Sequence, residues 1–287
     1  MKNFIKFHCD SADNFKNNQL VKAFSYKDYE VDSHNHDFYE MNIVLKGDGF
    51  QTINNNSFKV RQGDVFVIPP MMSHSYHNTN CLEVYHILLH EDFIRENQEE
   101  AMNVPGYLQL MEIEPFLRYK LPESVFLHLT QSQLMQLQYD LAFLDEESGL
   151  ENELFCPLRH HLMWKIIYWF SYLLSEQINS GEVKKVNNYQ YAIIQVLEYI
   201  HQNYGEKLTI KLLAEKAFLS RSTFLRSFYN ICGTTPVKYI NEYRRKKALE
   251  MMENTKLSKT EIANVCGFYD LSHMQRMIRD EKHPRGK

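Results

Sequence analysis

Leu213-Ala214-Glu215-Lys216-Ala217-Phe218-Leu219-Ser220-Arg221-Ser222-Thr223-Phe224-Leu225-Arg226-Ser227-Phe228 reads as two short helices joined by a turn, and the chain then writes the pattern again. Ile262-Ala263 opens the second copy, which runs through Gly267-Phe268 to Ser272, Met274, Arg276 and Ile278. The offset is 49 residues between Ala214 and Ala263 and 50 between Arg226 and Arg276, so the second turn is one residue longer. Two such units held apart by one helix are suited to reading two neighbouring segments of a DNA major groove.

Working outward, the local chemistry is helical throughout. Ile193, Val196, Leu197 and Ile200 follow the i, i+3, i+4, i+7 spacing of an amphipathic helix, with Gly205 where a C-terminal cap is wanted. Thr209 and Ser220 are capping residues for the first pair of helices, and small Ala214 and Ala217 let that pair cross closely. Gly233 ends the unit. Thr235-Pro236 then starts a connecting helix with a capping hydroxyl and a proline at its first position. That helix carries Val237, Ile240, Ala248, Leu249 and Met252 over about 18 residues, roughly 27 Å. Ser258 and Glu261 form a capping box directly before Ile262.

The series L-A-x5-S-x3-F-x-R-x-F, then G-T-T-P-x2-Y-I-x3-R-x3-A, then E-I-A-x2-C-G-F-x-D-x-S resembles the DNA-binding domain of AraC/XylS-type transcription regulators over about residues 189–280. A repeated helical hairpin could also serve as an interaction module, but Gly233, Pro236, Tyr239, Arg244 and Ala248 stand between the halves as in that family. The second copy departs from the pattern. Met274 and Ile278 stand where phenylalanines are usual, and the closing G-x-S-P segment and helix are replaced by 279–287.

Charge points the same way. Residues 189–287 hold 17 Lys and Arg against 10 Asp and Glu, a formal +7, while the other 188 residues hold 15 against 26, a formal −11, making the −4 of the chain. A basic C-terminal domain suits phosphate neutralisation. On the first reading helix the positions expected to face DNA are Arg221, Ser222, Thr223, Leu225 and Arg226, and on the second Ser272, His273, Gln275 and Arg276, with Leu271 beside them. Arg226 and Arg276 can hold guanine O6 and N7 at once, Gln275 can pair with adenine, and Arg221 is equally suited to phosphate. Arg244, Arg245, Lys246 and Lys247 on the connecting helix are expected to be solvated or to face phosphates.

The first half carries another signature. His34, His36 and Glu40 share parity and so one face of an extended strand. A turn signal at Gly47-Asp48-Gly49 follows, then alternating segments at 50–53 and 58–60 around Asn55-Asn56, then Gly63-Asp64, a strand at 65–68, Pro69-Pro70, His74 and Asn78. H-x-H-x3-E-x6-G and G-x5-P-x4-H-x3-N resemble both cupin motifs, with Met71 in place of the second motif's glycine. The resemblance implies a small antiparallel barrel over about 20–90. His34, His36, Glu40 and His74 are either an effector-binding set lining its mouth, the preferred reading, or a facial ligand set for a transition metal.

Between the two, 91–177 reads as helical: Leu134, Leu137, Leu141 and Leu144 recur at helical spacing, as do Leu158, Leu162, Ile166, Trp169, Phe170 and Leu173. Two such helices after the barrel could supply a dimer seam, as the family resemblance suggests. Polar residues and glycine at 179–185 mark a boundary.

Five widely spaced cysteines, Cys9, Cys81, Cys156, Cys232 and Cys266, without a C-x-x-C pair suit reduced thiols in the cytoplasm. Neither an export signal nor a membrane span is visible. The expected architecture is α+β: a cupin-like barrel with following helices over 1–178, a linker at 179–188, and an all-α DNA-binding domain over 189–287. The expected protein is not an enzyme and needs no cofactor. Its partners are double-stranded DNA, a small effector with a sugar among the candidates, a second copy of itself and RNA polymerase. The rival is a metal-dependent cupin enzyme, a dioxygenase or isomerase, with a helical appendage.

Overall fold

Two long strands organise the N-terminal unit in the computed structural model, which describes residues 7–15, 19–53, 56–120, 127–144, 156–180 and 188–279. The chain forms two compact units, Met1–Val186 and Asn187–Lys287. The linker residues 181–187 and the tail 280–287 lie outside the described residues.

In the first unit the elements run β1 (Phe7–Cys9), α1 (Ser11–Asn14), β2 (Val21–Tyr26), β3 (Val31–His36), β4 (Tyr39–Ile53), β5 (Asn56–Arg61), β6 (Asp64–Ile68) and β7 (His74–Leu89). Then come α2 (Glu91–Glu96), α3 (Gln98–Ala101), a π-helical turn (Gln109–Ile113) leading into α4 (Glu114–Lys120), β8 (Leu127–His128), α5 (Gln131–Leu144) and α6 (Cys156–Asn179). One sheet in the order β1-β3-β7-β4-β6-β8, with β2 on β7 and β5 on β4, holds all eight strands. Its pairs are antiparallel except β1 with β3, which is parallel. The sheet therefore extends past the expected 20–90 at both ends, and β8 interrupts the stretch expected to be helical.

Gly47-Asp48-Gly49 does not turn the chain. β4 runs through it, paired with β7 from Tyr39↔Leu89 to Ile53↔His74, and the register shifts between Val44 and Phe50. Gly47 has φ +76°, and a Cβ there would lie 2.2 Å from the Cys81 carbonyl oxygen. The glycine marks a bulge that lets a 15-residue strand bend and serve both halves of the curled sheet.

Alternation then sorts the side chains. One face carries Val44, Ile53, Phe58, Phe66, Ile68, Tyr76 and Val84, which form the interior of the curl. The opposite face, with Met41, Ile43, Val65, Val67 and Ile87, packs on Leu134, Leu137, Leu141, Met163, Ile167 and Phe170 of the helices. Each such side chain contributes about 1.5–3 kcal/mol on burial. The α5 leucines are buried as expected, but on α6 the buried stripe is Met163, Trp164, Ile166, Ile167, Phe170 and Leu174, while Leu158 is 46% exposed. Leu162, Trp169 and Leu173 only flank that core. Lys165, on the exposed side of α6, pairs with Asp140 of α5 at 2.8 Å.

The second unit is helical: α7 (Asn188–Gln202), α8 (Ile210–Lys216), α9 (Arg221–Cys232), α10 (Pro236–Asn254), α11 (Lys259–Val265) and α12 (Leu271–Arg279). Thr209, Ser220 and Thr235 accept from backbone N–H groups at the starts of α8, α9 and α10, and Ser258 with Glu261 completes the capping box of α11. Gly233 closes α9 in the left-handed conformation.

Three expectations change here. Gly205 is no cap, since α7 ends before it. Arg244 is not free for phosphate, because its Nε donates to the Tyr204 carbonyl and its Nη2 to the Glu206 carbonyl, both at 2.7 Å. Lys247 is buried, its Nζ 3.0 Å from Glu250 Oε2. For Arg244 tertiary contact overrides what a helical wheel assigns to solvent.

Candidate functional site

The two helix-turn-helix units superpose in chemistry as well as in sequence. In the first turn Phe218 adopts φ +52°, and in the second Gly267 takes the equivalent place at φ +73°. The extra residue falls after that point, so Asp270 serves as the second cap, accepting from the His273 N–H at 2.6 Å. Phe224 and Phe228 are fully buried, as is Met274 in the second copy, with Ile278 packed beside it. The substitutions that depart from the family pattern thus still fill the core.

Of the residues expected to face DNA, Arg221, Ser222, Arg226, Ser272 and Arg276 are exposed, while Thr223, Leu225, His273 and Gln275 are half-buried. Thr223 Oγ1 accepts from Ser220 Oγ at 2.9 Å, and His273 packs edge-on to Phe268. Both are therefore partly occupied by their own turns. Tyr229, on the turn of α9 that follows Arg226, is 57% exposed and belongs to the same surface. A sequence reading that sends aromatics to the core passes over it.

In the first unit Glu40 sits at the centre of the expected set. Its Oε2 lies 3.0 Å from His36 Nε2 and 3.1 Å from His74 Nε2, and its Oε1 lies 2.6 Å from His86 Nδ1. The three imidazoles hold its carboxyl well below the usual carboxylate range despite burial. His34 stacks obliquely on His74 with centroids 4.1 Å apart, and burial beside that ring lowers its pKa to about 4. All four expected residues are thus brought together. His86, 46 residues after Glu40 but on the directly paired strand β7, is the member that motif spacing misses.

Below this tier the interior is polar in a second way. Asn42 Nδ2 and Gln51 Nε2 both donate to the Tyr76 hydroxyl oxygen, at 3.1 and 2.9 Å. Arg118 of α4 is fully buried, ion-paired with Glu114 through a very short contact, and lies over the Phe66 ring. Asn42 Oδ1, Gln51 Oε1, His86 Nε2 and Arg118 Nη1 are buried with no hydrogen-bond partner. Asn42 shares the parity of Glu40, which is a signal the sequence did contain; Arg118 reaches the site from a helix far along the chain and offered none.

The imidazoles also answer whether the residues fit a metal. Nδ1 of His34, His36 and His74 lies 3.0, 2.7 and 3.3 Å from the carbonyl oxygens of Asp32, Phe38 and Met72. A carbonyl only accepts, so each Nδ1 carries the proton and each Nε2 of a neutral ring is a bare lone pair. His36 Nε2 then faces a carboxylate oxygen, an arrangement that needs either a second proton on the ring or a cation between them. Donor atoms of His34, Glu40 and His74 lie within 4.8 Å of one another. The set fits a divalent transition metal.

Comparison with known proteins places both halves. Residues 18–156 match the family described as an AraC-like ligand binding domain, and residues 213–283 match a helix-turn-helix domain. The chain is similar to the HTH-type transcriptional activator RhaS of Escherichia coli O81 (strain ED1a), 25% identical over 248 residues, covering 86% of this chain and 83% of that one. Among solved structures, an AraC-type transcriptional regulator from Chromobacterium violaceum is 27% identical with TM-score 0.31, over 32% of this chain and 83% of its own. ToxT from Vibrio cholerae O395 is 12% identical with TM-score 0.34, over 91% of this chain and 93% of its own. Scores this low leave the assignment to the two matched domains and the activator. Among the described residues, no helix is long and apolar enough to cross a membrane.

Proposed function

The chain belongs to the AraC family of transcription regulators, binding DNA through its C-terminal unit and carrying an N-terminal ligand-binding domain, and from that premise we propose that an uncharged polyhydroxylated molecule such as a sugar is its effector. The observation that carries this reading is the set of unpartnered buried atoms. Asn42 Oδ1, Gln51 Oε1 and, with its Nδ1–H given to Glu40, His86 Nε2 are acceptors, while Arg118 Nη1 is a donor. Hydroxyl groups can serve both kinds. Arg118 is already neutralised by Glu114 and Glu40 adds negative charge, which disfavours an anion.

In this proposal the chain is a non-enzyme that works in the cytoplasm as a homodimer. Met135, Tyr139 and Phe143, exposed at i, i+4 and i+8 along α5, support a seam between copies. Base readout is assigned to Arg226 and Arg276, with Arg221, Ser222, Thr223, Leu225, Ser272, His273 and Gln275 around them, and His34, His36, Glu40 and His74 form the mouth of the effector site.

Calorimetric titration of the full chain against a panel of monosaccharides and hydroxy acids tests the effector. A hit should bind at least tenfold more weakly to Asn42→Leu, whereas the unliganded variant should stay within about 1–2 kcal/mol of the parent, since removing the unpaired buried acceptor offsets the lost amide bond to the Tyr76 hydroxyl. An anionic hit unaffected by Asn42→Leu overturns the proposal.

A second reading, a divalent metal held by His34, His36, Glu40 and His74, is favoured by the bare Nε2 atoms and would supply a Lewis acid for an effector hydroxyl. Metal analysis separates the two. The metal-free reading expects far less than one equivalent and DNA binding indifferent to chelator; one equivalent that disappears in His74→Ala establishes the metal.

A further inference from the structure

The loop before the first helix-turn-helix unit meets the second unit at a backbone contact that lies outside both reading helices. After α7 the chain turns at Asn203–Glu206, with the Glu206 N–H donating to the Asn203 carbonyl at 2.9 Å. Gly205 in this turn lies against the second unit, where an added Cβ would sit 2.6 Å from the Val265 carbonyl oxygen. From the other side, a Cβ on Gly267 would sit 2.6 Å from the Gly205 carbonyl oxygen and 2.9 Å from Arg244 Nη2. Backbone therefore rests on backbone, and both contact positions require glycine, at Gly267 additionally because its φ is +73°.

Arg244 of the connecting helix closes this contact with both arms of its guanidinium, on the Tyr204 and Glu206 carbonyls. Burial lowers its pKa from the ordinary arginine value. Tyr204 packs into the second unit's core and stacks edge-on to Tyr243, which in turn stacks on His201 of α7 at 4.1 Å. One arginine thus ties the loop leading into the first unit to the turn of the second, while sitting on the helix that separates them.

Resting on the two-headed readout assigned above, we infer that Arg244 is a positioning residue: with Gly205 and Gly267 it clasps the two units together and fixes the spacing and angle at which α9 and α12 meet adjacent DNA segments. Rigid spacing is what converts two weak readers into one specific reader, because the second contact then costs little additional ordering. A lysine would keep the charge but, as a single ammonium, cannot hold two carbonyls in the fork geometry of a guanidinium.

The test uses the full-length chain and a duplex recovered by selection from random DNA with the wild-type protein. Footprinting locates the two protected segments, and each is then scrambled in turn. Wild type should lose roughly tenfold to a hundredfold in affinity on scrambling either segment. Arg244→Lys and Gly267→Ala should keep their sensitivity to the segment read by α9 and lose it for the segment read by α12, with the helical signal retained. The salt dependence of Arg244→Lys should match wild type. If Gly267→Ala does not fold, Arg244→Lys decides alone. Full sensitivity to both segments in Arg244→Lys overturns the clasp; equal loss on every duplex, including both scrambled ones, overturns it too. A wild-type footprint of a single segment would instead remove the two-headed readout on which the inference stands.

Discussion

Replacing Phe218 by glycine should stabilise the DNA-binding unit, although it deletes a large apolar side chain. Phe218 holds φ +52°, which costs an L-residue about 1–2 kcal/mol relative to the right-handed region. Its ring is 95% exposed, so almost no burial is lost with it. Glycine gives back about 0.5–1 kcal/mol through the greater freedom of the unfolded chain. The net gain is about 0.5–1 kcal/mol, or roughly 2–8 °C in the melting of a unit of this size. The second copy of the motif already has this solution, since Gly267 occupies the equivalent place. Denaturant melts of the full chain followed by helical signal measure the change, with Phe218→Ala as the control, because alanine removes the ring and leaves the backbone strain. An equal gain in the alanine variant would refute the backbone argument, and a loss in the glycine variant would show that the ring has a partner.

Arg226→Ala should weaken specific DNA binding by about 1–3 kcal/mol and relax base preference in one segment, with Arg276→Ala costing less; equal, sequence-independent losses would make both arginines phosphate contacts. Glu261, drawn below its ordinary pKa of 4.5 by its bonds to Ser258, contributes fully above that value and loses its contribution as pH falls through the lower folded-state pKa. The start of α11 should therefore fray on acidification, and Glu261→Gln should abolish that pH dependence as followed by amide exchange. A fragment spanning 187–287 should bind DNA in a salt-dependent way as a monomer and more weakly than the full chain, which gains from two tethered copies; a dimeric fragment in sedimentation would move the seam away from α5.

The helical half was legible because its signals are local. A capping serine, a proline at the first helical position and a glycine after the last turn each act within four residues, and Ser220, Pro236, Gly233 and Ser258 all sit where such signals placed them. Of the residues that sequence misassigned, Gly205 and Arg244 have partners far along the chain, while Lys247 is buried yet bonds Glu250 of its own helix. Arg244 reaches carbonyls 38 and 40 positions away, and no periodicity records that distance. The α6 stripe failed for a related reason. Apolar residues cover most of that helix, so 3.6-residue spacing fits several faces equally well, and only the position of the sheet selects Met163 and Ile167 over Leu158.

In the barrel half the motif residues were found and the rest of the site was not. His34, His36, Glu40 and His74 lie within 41 positions and share a recognisable spacing, yet the carboxylate they surround takes its shortest contact from His86, 46 residues on. Gly47 misled because a glycine that ends a strand and one that bends it look alike in sequence; the choice is made by Cys81, whose carbonyl leaves no room for a Cβ. Met71 shows the converse. It adopts φ +65° at the place where the resembling motif has glycine, and its backbone N–H donates to the His36 carbonyl at 2.7 Å. The strained turn is thus bonded to the strand that carries His34 and His36, so the conformation the motif demands is kept after the residue suited to it has gone, held by the same sheet that places the histidines.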